Sequence, residues 1–137
     1  FESIDCEKLR LRTQKEIEKI RAFYSMGFFG EAVFITGRLL EILLTEYIFI
    51  LKKLDKIHLT NKQILGLDFH NKIETLHSKK LSILSESQFS KLMSIKWDRN
   101  IYGHKVGSKN RDYQAVIAIG LIAINIFEKK IVGVKKK

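Results

Sequence analysis

Apolar side chains recur along this chain at steps of three and four residues, the spacing that lines them up on one face of a helix. Leu9, Ile17, Ile20 and Tyr24 mark the first such stretch, over residues 8–26, with Lys15, Glu16, Glu18 and Lys19 mostly opposite them. The second stretch, over 28–55, carries two neighbouring stripes. One runs through Phe29, Val33, Thr36, Leu40, Leu43, Tyr47, Ile50 and Leu54, the other through Phe28, Ala32, Ile35, Leu39, Ile42 and Phe49. So broad an apolar surface has to be covered on more than one side. One side is expected in the core of a bundle; the rest is covered by the chain's own helices or supports a subunit interface.

A third helix is predicted over 63–77, with Thr60 or Asn61 as its N-cap and Leu65, Phe69, Ile73 and Leu76 as its face. Ser85-Glu86-Ser87-Gln88 has the form of a capping box, in which the serine accepts from helix amides and the glutamine reaches back. It predicts a fourth helix from residue 86, with Phe89, Leu92, Met93, Lys96 and Trp97 on successive turns and its end near Gly103 and Gly107. Asn110 is placed to cap a final helix over 111–130. There Val116, Ile119, Ile122, Ala123 and Ile126 spread apolar contacts nearly all round, so deep burial is expected. With breaks near Gly27, 56–61, 79–85 and 105–110, and no internal repeat, the expectation is one domain over residues 1–137. Its fold is expected to be all-α, an antiparallel bundle of about five helices.

Composition agrees. The chain contains no proline, which long helices exclude and which β-rich domains normally spend on turns and edges. Hydrophobic residues make up 45%, ordinary for a globular protein. Lys and Arg number 25 against 15 Asp and Glu, a net charge of +10. That excess raises the local concentration of polyanions, nucleic acid above all. Cys6 is the only cysteine, so neither an internal disulfide nor a cysteine-based zinc site is available, which suits a cytoplasmic location. No signal peptide is recognisable at the charged N-terminal stretch, and the absence of an initiator Met suits a fragment of a longer protein. The longest uncharged run, 113–127, is shorter than the about 20 residues a membrane span needs, and no membrane association is expected.

The candidate chemistry lies in Arg99-Asn100-Ile101-Tyr102-Gly103-His104. Four helical residues advance a side chain by about 400°, so Asn100 and His104 share a face while Arg99 points roughly 140° away from His104. One copy makes an awkward Arg–His pair on a single phosphate. Two copies meeting across a two-fold axis do better, with Arg99 of one subunit approaching His104 of the other. Arginine offers a planar fork of donors to phosphate oxygens and offsets developing negative charge. Histidine titrates near neutrality, so it can take a proton from a 2′-hydroxyl or give one to a leaving oxygen. Asn100 can orient His104 or bond the phosphate. The chain lacks the clustered acidic residues that a two-magnesium site needs.

The segment Trp97-Asp98-Arg99-Asn100-Ile101-Tyr102-Gly103-His104 resembles the Arg-Asn-x-x-x-His signature of HEPN domains. Gly37-Arg38-Leu39-Leu40-Glu41-Ile42-Leu43-Leu44 resembles the second-helix Arg-x-Leu-Glu pattern of one bacterial branch of that family. Ile64-Leu65-Gly66-Leu67 and Lys72-Ile73-Glu74-Thr75-Leu76 resemble the segment that joins it to the signature helix. The resemblance covers about residues 27–130 and implies a helical bundle that dimerises with both signatures at the interface. Active members are metal-independent ribonucleases, often toxins or antiviral effectors, so a cognate antitoxin or a larger effector protein is an implied partner. Arg99 and His104 would be catalytic and Asn100 supportive. Glu41 matches an acidic position that sits near the Arg and His. Arg38 is a phosphate contact or a salt-bridge partner of Glu41. Tyr102, Lys96 and Lys105 are the expected RNA contacts, and no metal or other cofactor is expected. The family also contains inactive members, so a non-catalytic binding or dimerisation module is the alternative.

The remaining candidates point to structure. His70 and His77 stand seven apart without an acidic partner to complete a metal site. Trp97 suits core packing better than base stacking, for which Tyr102 is the better candidate. The tail Lys135-Lys136-Lys137 reads as a solvated basic run.

Overall fold

The computed structural model describes residues 9–78, 85–94 and 110–135. Six helices are found among them: α1 Leu11–Ser25, α2 Phe29–Lys53, α3 Asn61–Leu65, α4 Phe69–Ser78, α5 Glu86–Ser94 and α6 Asn110–Lys135. No strand occurs among the described residues. The fold is all-helical, as the periodicity and the missing proline predict.

α2 is the central element. Its buried positions include Ala32, Val33, Ile35, Leu39, Leu40, Leu43 and Tyr47 from the two apolar stripes, and Leu44, Ile48 and Leu51 from beside them. α6 and α1 cover it on two sides, α3 and α4 meet it on another, and α5 packs on α4 and α6. Most of α2's breadth is therefore covered by the chain's own helices. Ile42 remains exposed and Phe49 partly so.

The expected antiparallel arrangement does not hold for the largest interface. Phe29 stacks on Tyr113 at 6.2 Å and Tyr47 meets Phe127 at 6.0 Å between ring centroids, so α2 and α6 run in the same sense. Adjacent helices are forced antiparallel only by a short connection. Here more than fifty residues separate the end of α2 from the start of α6, enough to return the chain to the same end. α1, joined to α2 by a tight turn, is the antiparallel neighbour.

That turn is a Schellman motif. The Phe28 N–H donates to the Phe23 carbonyl at 2.8 Å and Gly27 N–H to the Tyr24 carbonyl at 3.1 Å, with Gly27 at φ +85°. The Phe23 and Phe28 rings close it edge to face at 6.2 Å. α2 ends in the same way, with Lys56 N–H on the Leu51 carbonyl at 2.8 Å, but there Asp55 occupies the left-handed position at φ 63°.

The third predicted helix is two helices. Thr60 and Gln63 form a capping box on α3, which stops at Gly66. Asp68 then restarts the chain as a cap for α4, its Oδ1 accepting from Asn71 N–H at 2.8 Å. The box at Ser85 and Gln88 forms as predicted, with Gln88 N–H to Ser85 Oγ at 3.1 Å and Ser85 N–H to Gln88 Oε1 at 3.0 Å. His77 stacks flat on Phe89 at 3.9 Å and joins α4 to α5.

α6 is not buried all round. Its core side is Ile117, Leu121, Ile124, Phe127 and Ile131, whereas Ala115, Ala118 and Ile122 (51% exposed) face outward. Of the five positions expected in contact, Ala123 is buried, Val116, Ile119 and Ile126 are half-buried, and Ile122 faces water. Ala115 and Ala118 lose little by facing water. Among the described residues no helix is long and apolar enough to cross a membrane.

Candidate functional site

Glu41 and Arg38 are the two expected site residues that the structure describes. Arg99, Asn100 and His104 lie outside the described residues, as do Lys96, Trp97, Tyr102 and Lys105.

Glu41 and Arg38 lie on the part of α2 that is not covered, at the edge of a groove of about 550 Å³ between α1, α2 and α4. The charged groups lining it are Arg12 from α1, Arg38, Glu41 and Glu46 from α2, and Lys72 from α4. Ile42, Thr45 and Phe49 of α2 line the remainder. Arg38, Ile42, Thr45 and Phe49 follow at steps of four, three and four, which explains why one helix face supplies them all.

The ion pairs differ from the expected one. Glu41 Oε1 accepts from Lys72 Nζ at 3.1 Å. Lys72 is buried to 6% side-chain exposure, while the Glu41 side chain is 46% exposed. Burying a lysine stem costs little, but its ammonium needs a partner, and Glu41 supplies it. Arg38 pairs instead with Glu16 of α1, Nη2 to Oε2 at 3.4 Å, and its guanidinium lies 6.0 Å from the Phe34 ring centre. Glu16 therefore takes the place that Glu41 was expected to fill. Arg38 remains half exposed.

Behind the groove sits a cluster that the sequence conceals. Glu128 of α6 has no exposed side-chain surface. Arg10 reaches its carboxylate with Nη2 at 2.8 Å and Nε at 3.1 Å, and with its own backbone N–H at 2.6 Å. Thr13 Oγ1 donates to it at 2.9 Å. The other edge of the Arg10 guanidinium is bidentate to Glu46, at 2.7 and 2.9 Å. One arginine thus ties the start of α1 to α2 and α6. Burial pushes the Glu128 carboxyl up, but the hydrogen bonds from Arg10 and Thr13 and the Arg10 charge outweigh it, leaving it below its ordinary range. Hydrogen bonds to Glu46 and then Glu128 hold Arg10 above its ordinary value.

Arg12, Lys72 and the Arg10 cluster are the residues that sequence reasoning missed. Lys72 left a trace: it stands three after Phe69 and four before Leu76, a charge on an apolar stripe. Arg12 left none. Among the described residues no group of three or more His, Cys, Asp or Glu side chains gathers as metal ligands do. No family model, curated protein or solved structure matches the chain.

Proposed function

We propose that this chain is a metal-independent RNA endonuclease of the HEPN class, working as a cytoplasmic homodimer with a composite site at the subunit interface. One observation carries the reading: the intact Arg99-Asn100-x-x-x-His104 pattern, set in a helical chain of net charge +10. The exposed carboxylate of Glu41 and the half-exposed guanidinium of Arg38, side by side on α2, support it, since both match the family's second-helix pattern.

In this reading His104 takes the proton of a 2′-hydroxyl, and the freed 2′-oxygen attacks the adjacent phosphorus. Arg99 of the other subunit bonds the non-bridging oxygens and offsets the charge that builds on them. The 5′-oxygen leaves and is protonated, giving 2′,3′-cyclic phosphate and 5′-hydroxyl ends. Asn100 holds the His104 ring or the phosphate. A toxin or antiviral effector role, restrained by an antitoxin or by a larger protein, follows from the family resemblance.

The test is incubation of the purified chain with total RNA in EDTA. Cleavage that survives chelation and is lost in His104→Ala and Arg99→Ala is the expected result. Salt-sensitive RNA binding with no turnover would instead make the chain a binding module.

A further inference from the structure

The groove between α1, α2 and α4 has chemistry that the cleavage reaction leaves unused. Its two carboxylates are already held, Glu41 by Lys72 at 3.1 Å and Glu46 by Arg10 through both oxygens. Its arginines are held less closely. Arg12 makes no ion pair among the described residues, and Arg38 pairs with Glu16 at 3.4 Å while staying half exposed. Beyond them the Thr45 hydroxyl is turned back on the Glu41 carbonyl at 2.9 Å, so Ile42 and the partly buried Phe49 present the groove's apolar side. From Arg38 to Phe49 the helix rises about 16 Å. The volume of about 550 Å³ lies within the range of ligand-sized pockets.

We propose that this groove is a track for single-stranded RNA, with Arg12 and Arg38 on successive phosphates and a base stacked on Phe49. Cationic donors at one end of a groove and an aromatic face further along it are what a strand with charged phosphates and flat bases requires. An acidic peptide would satisfy the arginines but leave the Phe49 ring without a partner. The choice of RNA rests on the ribonuclease reading; the residues rest on the groove.

Fluorescence anisotropy of a labelled oligouridine of about ten nucleotides tests this, in EDTA and on protein carrying His104→Ala so that the strand stays intact. Adding Arg12→Gln is expected to weaken binding about threefold to tenfold and to lower the slope of log K against log salt by about 1. Phe49→Leu is expected to weaken it about fivefold or more with the slope unchanged, and with an unaltered circular dichroism spectrum. Parental affinity in both variants overturns the proposal. So does displacement by polyglutamate as effective as displacement by unlabelled oligouridine. Wild-type protein that binds through these residues yet cuts no RNA would refute the ribonuclease reading and uphold the track.

Discussion

Replacing Arg10 by Met removes the only cation among the described residues that touches Glu128, while keeping an apolar stem of similar length in place. Glu128 is then a carboxylate with no exposed surface and two described hydrogen bonds, from the residue 10 backbone N–H and from Thr13, with no positive charge beside it. Breaking a buried pair in this way typically costs about 3–5 kcal/mol. The loss has a ceiling, because Glu128 can escape by taking up a proton. From an ordinary carboxylate value of about 4.3, protonation at pH 7 costs about 3.7 kcal/mol, at 1.36 kcal/mol per unit of pH. The same escape costs only about 1 kcal/mol at pH 5. Arg10→Met should therefore destabilise by about 3–4 kcal/mol at pH 7 and by about 1–2 kcal/mol at pH 5. Urea unfolding followed by circular dichroism at the two pH values measures both. Glu128→Gln in the Arg10→Met background should restore part of the loss at pH 7. A destabilisation under about 1 kcal/mol at pH 7, or one that does not shrink toward pH 5, would refute this account of the cluster. The wild-type protein follows the matching sign. Glu128 is held below its ordinary value in the fold, so its contribution is complete above about pH 4.3 and is lost as the pH falls below that.

The helix ends and the groove give further expectations. Gly27→Ala should cost about 1–2 kcal/mol in urea unfolding; a Cβ there meets nothing within 4 Å, so the loss comes from φ +85° alone. Asp55→Gly should stabilise by about 0.5–1 kcal/mol, since φ 63° is a position where glycine relieves strain, and a loss of stability would contradict it. Arg38→Gln should change stability by no more than about 0.5 kcal/mol, because its pair with Glu16 is long and half exposed, yet should weaken RNA binding in anisotropy.

Much of the fold is legible in the sequence because helix periodicity and caps are local signals. The N-cap at Thr60, the capping box at Ser85 and the stop at Gly27 form where their residues stand. Two things are hidden, one behind a local stripe and one by distance along the chain. The break at Gly66–Asp68 needs Asp68 to act as a cap, and the stripe through Leu65 and Phe69 masks it. Glu128 resembles the start of the polar tail with Lys129 and Lys130, but it falls on the core side between Ile124 and Ile131. Its partner is 118 residues away, at Arg10, and nothing local announces that pairing. The same distance effect gave Glu41 a lysine and Arg38 a glutamate that spacing on α2 alone does not reveal.

The central claim is that RNA is cut without metal by an Arg99 and a His104 from different subunits. Mixing equal amounts of Arg99→Ala and His104→Ala protein, allowing exchange, and assaying RNA cleavage in EDTA tests it most directly. Each variant alone should be inactive. After exchange about half of all dimers should pair one variant with the other, and each of these regains one complete site of two, so about a quarter of wild-type activity should return, with 2′,3′-cyclic phosphate products. A mixture as inactive as its parts, beside active wild-type protein, would contradict the composite site; inactive wild-type protein would contradict the ribonuclease itself.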